Sequence, residues 1–180
     1  MRFLSSSIND VVLLEPVIFE DDRGSFRRNF CQKEFKKNGL ESTFLQGNIS
    51  ENPISGTLRG FHYQIKPYQE SKTISCITGS IFDVVIDLRK DSSTFLKYST
   101  FELNATNRNS IFIPSGCANA WLTLEPNTII HYYMSEFYKP GFEAGIRYDD
   151  PFFNIAWPKS IKKISLKDQS YNNFSPENSL

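Results

Sequence analysis

KTISCITGSIFDVVIDLR, residues 72–89, is two alternating runs of side chains separated by a Gly-Ser pair. A period of two marks strands, because successive side chains of a strand point to opposite faces. With Gly79 and Ser80 as a hairpin turn, Thr78 opposes Ile81, Cys76 opposes Asp83 and Lys72 opposes Asp87. Lys72, Ile74 and Cys76 then share a face with Asp83, Val85 and Asp87, while Phe82, Val84, Ile86 and Leu88 line the other and must be core. A lysine and two aspartates on a half-apolar face are either a solvated surface or the lining of a pocket.

The same period runs through most of the chain. STFLQGNIS, GTLRGFHYQ, YSTFEL, SIFIP, NAWLTL and TIIHYYMSEFY are further strand candidates, spaced by about 8 to 12 residues as in a sandwich or barrel. VVLLEPVIF is strand-like, with Pro16 confining it to an edge or a bulge. DDRG, residues 21–24, is a turn. QKEFKKNGL, residues 32–40, is the one convincing helix, and Gly39 supplies its stop. The expected fold is therefore all-β, a sandwich or barrel with one or two short helices. The 180 residues suit a single domain with a sizeable core, ending in a polar, loose tail over residues 169–180.

Lys and Arg together number 20, as do Asp and Glu, so no net charge calls for nucleic acid or an anionic membrane. An anionic ligand would have to be held by a local cluster. Cys31, Cys76 and Cys117 are odd in number and widely spaced, which fits reduced thiols in a cytoplasmic protein. No stretch approaches about 18 apolar residues, and the first ten residues carry no signal-peptide run.

GTLRGFHYQ, residues 56–64, places Arg59, His62 and Gln64 where a strand should carry apolar residues. Metal-binding jelly rolls of the cupin type carry His-x-His on one strand and a further His after a Pro-x-Gly turn. Here the second position is Gln64, and PSGCAN ends in Asn119. Amides are poor ligands beside imidazole, so a metal is not expected. Arg59 and His62 fall on opposite faces of a regular strand; a shared site would need a bend or bulge at Gly60.

DDRGSF, QGNIS, GTLRGFHYQ, GSIFDVVIDLR, IPSGCANAW, EFYKPGFEAGIRYDDP and SLKD occur in that order, and over residues 9–168 the chain resembles the dTDP-4-dehydrorhamnose 3,5-epimerase family. The resemblance implies a cupin-like jelly roll that uses no metal or cofactor. It implies a homodimer with exchanged N-terminal strands, acting on a nucleotide-diphosphate sugar bearing a 4-keto group. It assigns His62 as general base, Asp168 as its orienting carboxylate, Tyr132 as the acid on the opposite sugar face and Lys72 as the enolate-stabilising cation, with Asp83 beside it. By pattern alone Tyr63 or Tyr133 would serve as well as Tyr132. Arg23 and Arg59 match diphosphate and nucleotide contacts, Phe26 a ring against the base, and Gln46, Asn48, Tyr138, Glu143 and Lys167 further substrate contacts. Arg23 and Phe26 are expected to reach the neighbouring subunit's pocket.

Three positions depart from the family pattern: Asn119 stands for a second active-site histidine, Arg28 for a glutamate, and QGN for QDN at residues 46–48. The chemistry fits the retained groups. A ketone at C4 acidifies the C3 and C5 protons; a base on one face, an acid on the other and a cation at the oxygen invert a centre. An ordinary imidazole titrates near 6.5 and an ordinary phenol near 10, matching base and acid. The implied function is inversion at C3, C5 or both of a thymidine-, guanosine- or cytidine-linked 4-keto hexose or heptose for surface polysaccharide. A 3,4-ketoisomerase and a non-catalytic nucleotide-sugar binding module stand as alternatives.

Overall fold

The turn at Gly79 does not fold residues 72–78 back onto residues 80–87; it carries the chain from one sheet to another. A computed structural model describes residues 1–176. Among these the strands are β1 (Arg2–Ser5), β2 (Val12–Glu15), β3 (Ile18–Asp21), β4 (Gly24–Arg27), β5 (Gln46–Asn52), β6 (Leu58–Gln64), β7 (Lys72–Thr78), β8 (Ser80–Asp87), β9 (Tyr98–Asn104), β10 (Ser110–Ile113), β11 (Cys117–Thr123), β12 (Thr128–Met134) and β13 (Glu143–Gly145). The helices are α1 (Gln32–Lys37) and α2 (Leu166–Ser170).

One sheet has the order β1-β2-β10-β7-β12-β5 and the other β13-β6-β11-β8-β9, with β3 and β4 a separate two-stranded hairpin. The two large sheets face each other as the sandwich that the pattern of short strands suggested, in the jelly-roll arrangement that the family resemblance implied. The expected pairing of Lys72 with Asp87 and of Cys76 with Asp83 is wrong: β7 pairs with β10 and β12, and β8 pairs with β9 and β11. Gly79 turns the corner with a φ of +77°, and a Cβ there would collide with Thr128. Gly is the residue that reaches this conformation without strain. Lys72, Ile74, Cys76, Asp83 and Val85 nevertheless share an environment, because both strands turn those side chains toward the space between the sheets.

That space holds Ile74, Cys76, Ile81, Val85, Ile111, Ile130 and Trp121. Val84, Ile86 and Leu88, expected as core, are core on the outer face of the five-stranded sheet. There the segment that follows β13 covers them with Ile146, Phe153, Trp157 and Phe174. Phe35 of α1 plugs the outside of the six-stranded sheet against Leu14 and Phe112. Gly39 ends α1 with a φ of +72°. Pro16 divides its stretch into β2 and β3, which belong to different sheets.

The tail expected to be loose starts inside α2, and its Tyr171 and Phe174 are partly buried. Phe174 stacks near Phe152 and Phe153, and its N–H donates to the Asp150 carboxylate. Residues 177–180 of that tail lie outside the described residues.

Candidate active site

The site begins with the bulge in β6. His62 lies opposite Asn119 of β11 and Arg59 opposite Trp121, so Gly60 and Phe61 together face Ala120 alone. The extra residue turns Arg59 and His62 to the same side, resolving the conflict that regular alternation poses. Gly60 has a φ of +119°, and a Cβ there would lie 2.5 Å from the Asn119 carbonyl oxygen and 2.7 Å from Ala120. Glycine is required both by the conformation and by the close approach.

His62 Nε2 lies 2.8 Å from Asp168 Oδ1. Asp168 is buried, and its other oxygen accepts from the Gly60 N–H at 3.2 Å. Ser165 caps α2 by accepting from the Asp168 N–H at 2.9 Å, which fixes where the carboxylate points. Burial pushes the Asp168 pKa up, but the hydrogen bond and charge of His62, with the Gly60 and Ser165 bonds, outweigh it and hold the group below the usual carboxylate value. An ionised carboxylate only accepts, so Nε2 carries the hydrogen and Nδ1 is the nitrogen free to take a proton. The His62 side chain is 40% exposed, toward a cavity of about 400 Å³ between the sheets.

The facing wall comes from the six-stranded sheet. Tyr132 of β12 and Lys72 of β7 line the cavity there, and Tyr133, a candidate by pattern, points to the outer face against Phe30 and Phe44. Tyr63 is buried beside Phe61, on the wall that carries His62 and not on the facing one, and also lines the cavity. Burial raises the Tyr132 pKa, with Arg59 opposing and Glu70 adding to the rise, so its phenol stays protonated through neutral pH. The Tyr132 ring packs on Trp121 at 5.8 Å between centroids. Lys72 Nζ donates to Glu70 at 2.9 Å and to the His62 carbonyl at 3.3 Å. Glu70, absent from the candidates read in sequence, is 7% exposed and also accepts from the Gln64 N–H at 3.1 Å. It lies in the loop before β7, where no strand pattern marks it.

Gln64 and Asn119, at the positions where cupin metal ligands would stand, spend their polar atoms within the protein. Gln64 donates to the carbonyls of Tyr68 and Phe137 and accepts from the Lys139 N–H at 2.7 Å. It thereby pins the loop after β12. Asn119 Nδ2 donates to Asp83 Oδ1 at 2.7 Å and to the Val84 carbonyl at 3.2 Å. Asp83 is fully buried and does not reach the cavity surface; it stands behind Asn119. Burial drives the Asp83 pKa well above the carboxylate range, against the Asn119 bond and the Lys72 charge. Among the described residues no three His, Cys, Asp or Glu side chains cluster as a metal site.

At the mouth, Gln46, Asn48, Tyr138, Glu143 and Lys167 all line the same cavity. Gln46 donates to Asn48 Oδ1 at 3.0 Å and accepts from the Tyr138 N–H at 3.0 Å. The hydrogen bond from Lys167 to Glu143, at 3.0 Å, is the chief cause holding the Glu143 pKa down to about 2. Tyr138 donates to the same oxygen at 3.1 Å. Arg59 is not among the residues lining this cavity; it donates to Asn52 Oδ1 at 2.9 Å. Tyr171, from the tail, also lines the cavity and was missed because a polar, Asn-rich stretch signals a loop.

Arg23 and Phe26 are not in this cavity. They lie on the β3–β4 hairpin, where Arg23 pairs with Asp21 and Phe26 is 67% exposed beside Phe19 at 62%.

A jelly roll carrying a His–carboxylate dyad on one wall, and a phenol and an ammonium on the other, belongs to the class of acid/base enzymes built on the cupin-like fold. The chain belongs to the dTDP-4-dehydrorhamnose 3,5-epimerase family, whose model matches residues 5–176. It is 38% identical over 173 residues to the enzyme of that name from Methanothermobacter thermautotrophicus, covering 94% of this chain and 92% of the relative. The crystal structure of the Bacillus anthracis enzyme of that name, with TDP and pyrophosphate bound, superposes with a TM-score of 0.93 at 35% identity. The match covers 96% of this chain and 99% of that one. A 3'-monoepimerase from Streptomyces bikiniensis, in complex with dTDP-quinovose, matches with a TM-score of 0.87 at 30% identity over 93% of this chain and 85% of that one.

Proposed function

We propose that the protein inverts C3, C5 or both of a dTDP-linked 4-keto-6-deoxyhexose, with His62 as base and Tyr132 as acid. The observation that carries this reading is the placement of the two groups on opposing walls of one cavity, with Asp168 orienting His62 and burial keeping the Tyr132 phenol protonated. His62 Nδ1 removes the proton beside the ketone, Asp168 stabilises the resulting imidazolium, and the electron pair moves onto the C4 oxygen. Lys72 offsets that charge. Tyr132 donates its proton to carbon from the other side, and inversion is complete; the phenolate then recovers a proton from solvent and the His62 imidazolium releases the one it took. Such acid–base groups typically contribute about 10² to 10⁴-fold each.

Thymidine as the nucleotide is supported by the TDP and dTDP-sugar complexes of the similar structures. An opposed phenol favours epimerase over ketoisomerase, which moves a carbonyl along one face. We further propose a homodimer in which the β3–β4 hairpin delivers Arg23 and Phe26 to the partner's nucleotide subsite. Both residues are exposed and distant from the cavity of their own chain, and the hairpin carries Ile18, Phe19 and Phe26 uncovered. The family resemblance alone supports a role in supplying a deoxysugar for surface polysaccharide.

The test is incubation with dTDP-4-keto-6-deoxyglucose in deuterated water, followed by proton NMR. Deuterium entering at C3 or C5 with inverted configuration supports the reading. Absence of exchange with the dTDP sugar, alongside exchange with a GDP- or CDP-linked one, would move the nucleotide assignment.

A further inference from the structure

β13 pairs with β6 so that Gly145 lies directly opposite His62. Residues opposed in a pair share a face, so any side chain at 145 would stand beside the imidazole. Glycine leaves that position empty, and the ring of Tyr171 fills it: a Cβ on Gly145 would fall among the Tyr171 ring carbons. The backbone of Gly145 lies outside the left-handed region, so the missing side chain is a matter of space and not of conformation. From this slot the Tyr171 ring meets the His62 ring edge-on, with centroids 6.1 Å apart and planes at 71°.

Tyr171 reaches the slot three residues after Asp168. One short segment therefore brings His62 both its hydrogen-bond partner and a ring in contact with it. Asp168 is fixed by the Ser165 cap on one side, and Phe174 anchors the other side in the outer core. The charged groups around the imidazole are Asp168 at Nε2, Lys72 at the His62 carbonyl, and the Glu143–Lys167 pair at the cavity mouth. None of these restrains the ring plane about the His62–Asp168 axis. A single hydrogen bond leaves that rotation free; an aromatic edge against the ring removes it.

We propose that Tyr171 is a positioning residue of the site: its ring occupies the space left by Gly145 and locks the plane of the His62 imidazole, so that Nδ1 faces the cavity. The ring, and not the hydroxyl, does this. The catalytic part of the proposal rests on His62 being the base; the positioning part does not.

The chain has two histidines, His62 and His131, so the imidazole signals can be assigned by one substitution. The experiment compares wild type, Tyr171→Ala, Tyr171→Phe and Gly145→Ala by imidazole ¹⁵N–¹H correlation across pH. It also measures deuterium wash-in where substrate exchange is found. The expected result is an Nε2-protonated His62 with one sharp set of ring signals in wild type and in Tyr171→Phe, and the same tautomer with shifted, exchange-broadened ring signals in Tyr171→Ala. Gly145→Ala, which displaces the ring while leaving every side chain of the site chemically intact, should match Tyr171→Ala. Exchange should fall about 10- to 100-fold in both, in kcat more than in KM, as small misplacements of reacting groups do. Unchanged His62 signals in Tyr171→Ala overturn the proposal. So does a Tyr171→Phe variant as disturbed as Tyr171→Ala, which would assign the role to the hydroxyl. If wild type shows no exchange with any 4-keto sugar, the functional reading fails, and the imidazole signals still decide whether Tyr171 positions His62.

Discussion

Asn119 lies directly across the strand pair from His62, and its amide donates to the buried carboxyl of Asp83 at 2.7 Å. The residue paired with the base on the β11 side is thus an uncharged donor already committed to a partner behind it. An imidazole at this position could become cationic toward the sugar; an amide cannot. With an amide in place of a second imidazole across from His62, we predict that C3 exchanges faster than C5 in wild type and that Asn119→His narrows the difference. Time-resolved proton NMR in deuterated water checks this, and equal exchange at both carbons in wild type would remove Asn119 from control of the second inversion.

Asp83 keeps its proton at a cost that grows with pH. Its folded pKa is raised by burial, so an unfolded chain releases the proton near pH 4 while the folded one retains it. The folded state therefore loses stability as pH rises from about 4 toward the folded pKa, by about 1.4 kcal/mol per unit at most. Asp83→Asn removes this loss with nearly the same shape. The variant should equal wild type near pH 4 and exceed it in thermal stability at pH 7, a crossover that melting curves at several pH values will show.

His62 and Tyr132 should fail differently. His62→Asn abolishes deuterium wash-in and inversion together. Tyr132→Phe keeps the base, so wash-in with retained configuration survives while inversion drops by about 10² to 10⁴-fold. Because burial raises the Tyr132 pKa, inversion in wild type should persist above pH 10, where an ordinary phenol would have ionised. Parallel loss of both readouts in Tyr132→Phe would give that residue a positioning role only.

Gly60→Ala should be among the most damaging single-atom additions in the protein. The new Cβ meets backbone at 2.5 Å and must sit at a φ of +119°. Together these cost about 2 to 4 kcal/mol, and any relaxation of the bulge turns Arg59 away from His62. A variant that melts within about 2 °C of wild type would show that β6 accommodates the atom.

Mixed dimers test the hairpin. Chains carrying His62→Asn and chains carrying Arg23→Ala with Phe26→Ala should each be nearly inactive alone. Mixed, they should recover up to about a quarter of wild-type activity, because one of the two sites in a heterodimer is whole and half the dimers are mixed. Sedimentation as a monomer, or no recovery on mixing, would confine the site to one chain.

The sequence made strands legible because alternation survives any topology. It did not reveal that β7 and β8 part company at Gly79, since a period of two tells which side chains share a face but not which strand lies alongside. Two strands meeting edge to edge and two meeting face to face across a core read alike. The bulge at Gly60 was legible because the useful residues Arg59 and His62 had the wrong spacing for one face. Glu70 and Tyr171 were not, since one reads as surface charge and the other as tail. The Lys72–Glu70 pair shows the same limit: partners set by a loop leave no periodic trace.

The strand order has a kinetic consequence. Within the two large sheets, only β1–β2 and β8–β9 join strands that are adjacent in the chain. All other pairings close long loops, the pattern associated with folding in milliseconds to seconds and not microseconds. His62 and Asp168 are 106 residues apart, and Tyr171 arrives later still. A chain emerging from its N-terminus can assemble both walls of the cavity and still hold an unoriented imidazole. Competence for proton transfer should therefore appear as one of the last events of refolding, after the recovery of tryptophan fluorescence, and stopped-flow refolding followed by an exchange assay would time the two separately.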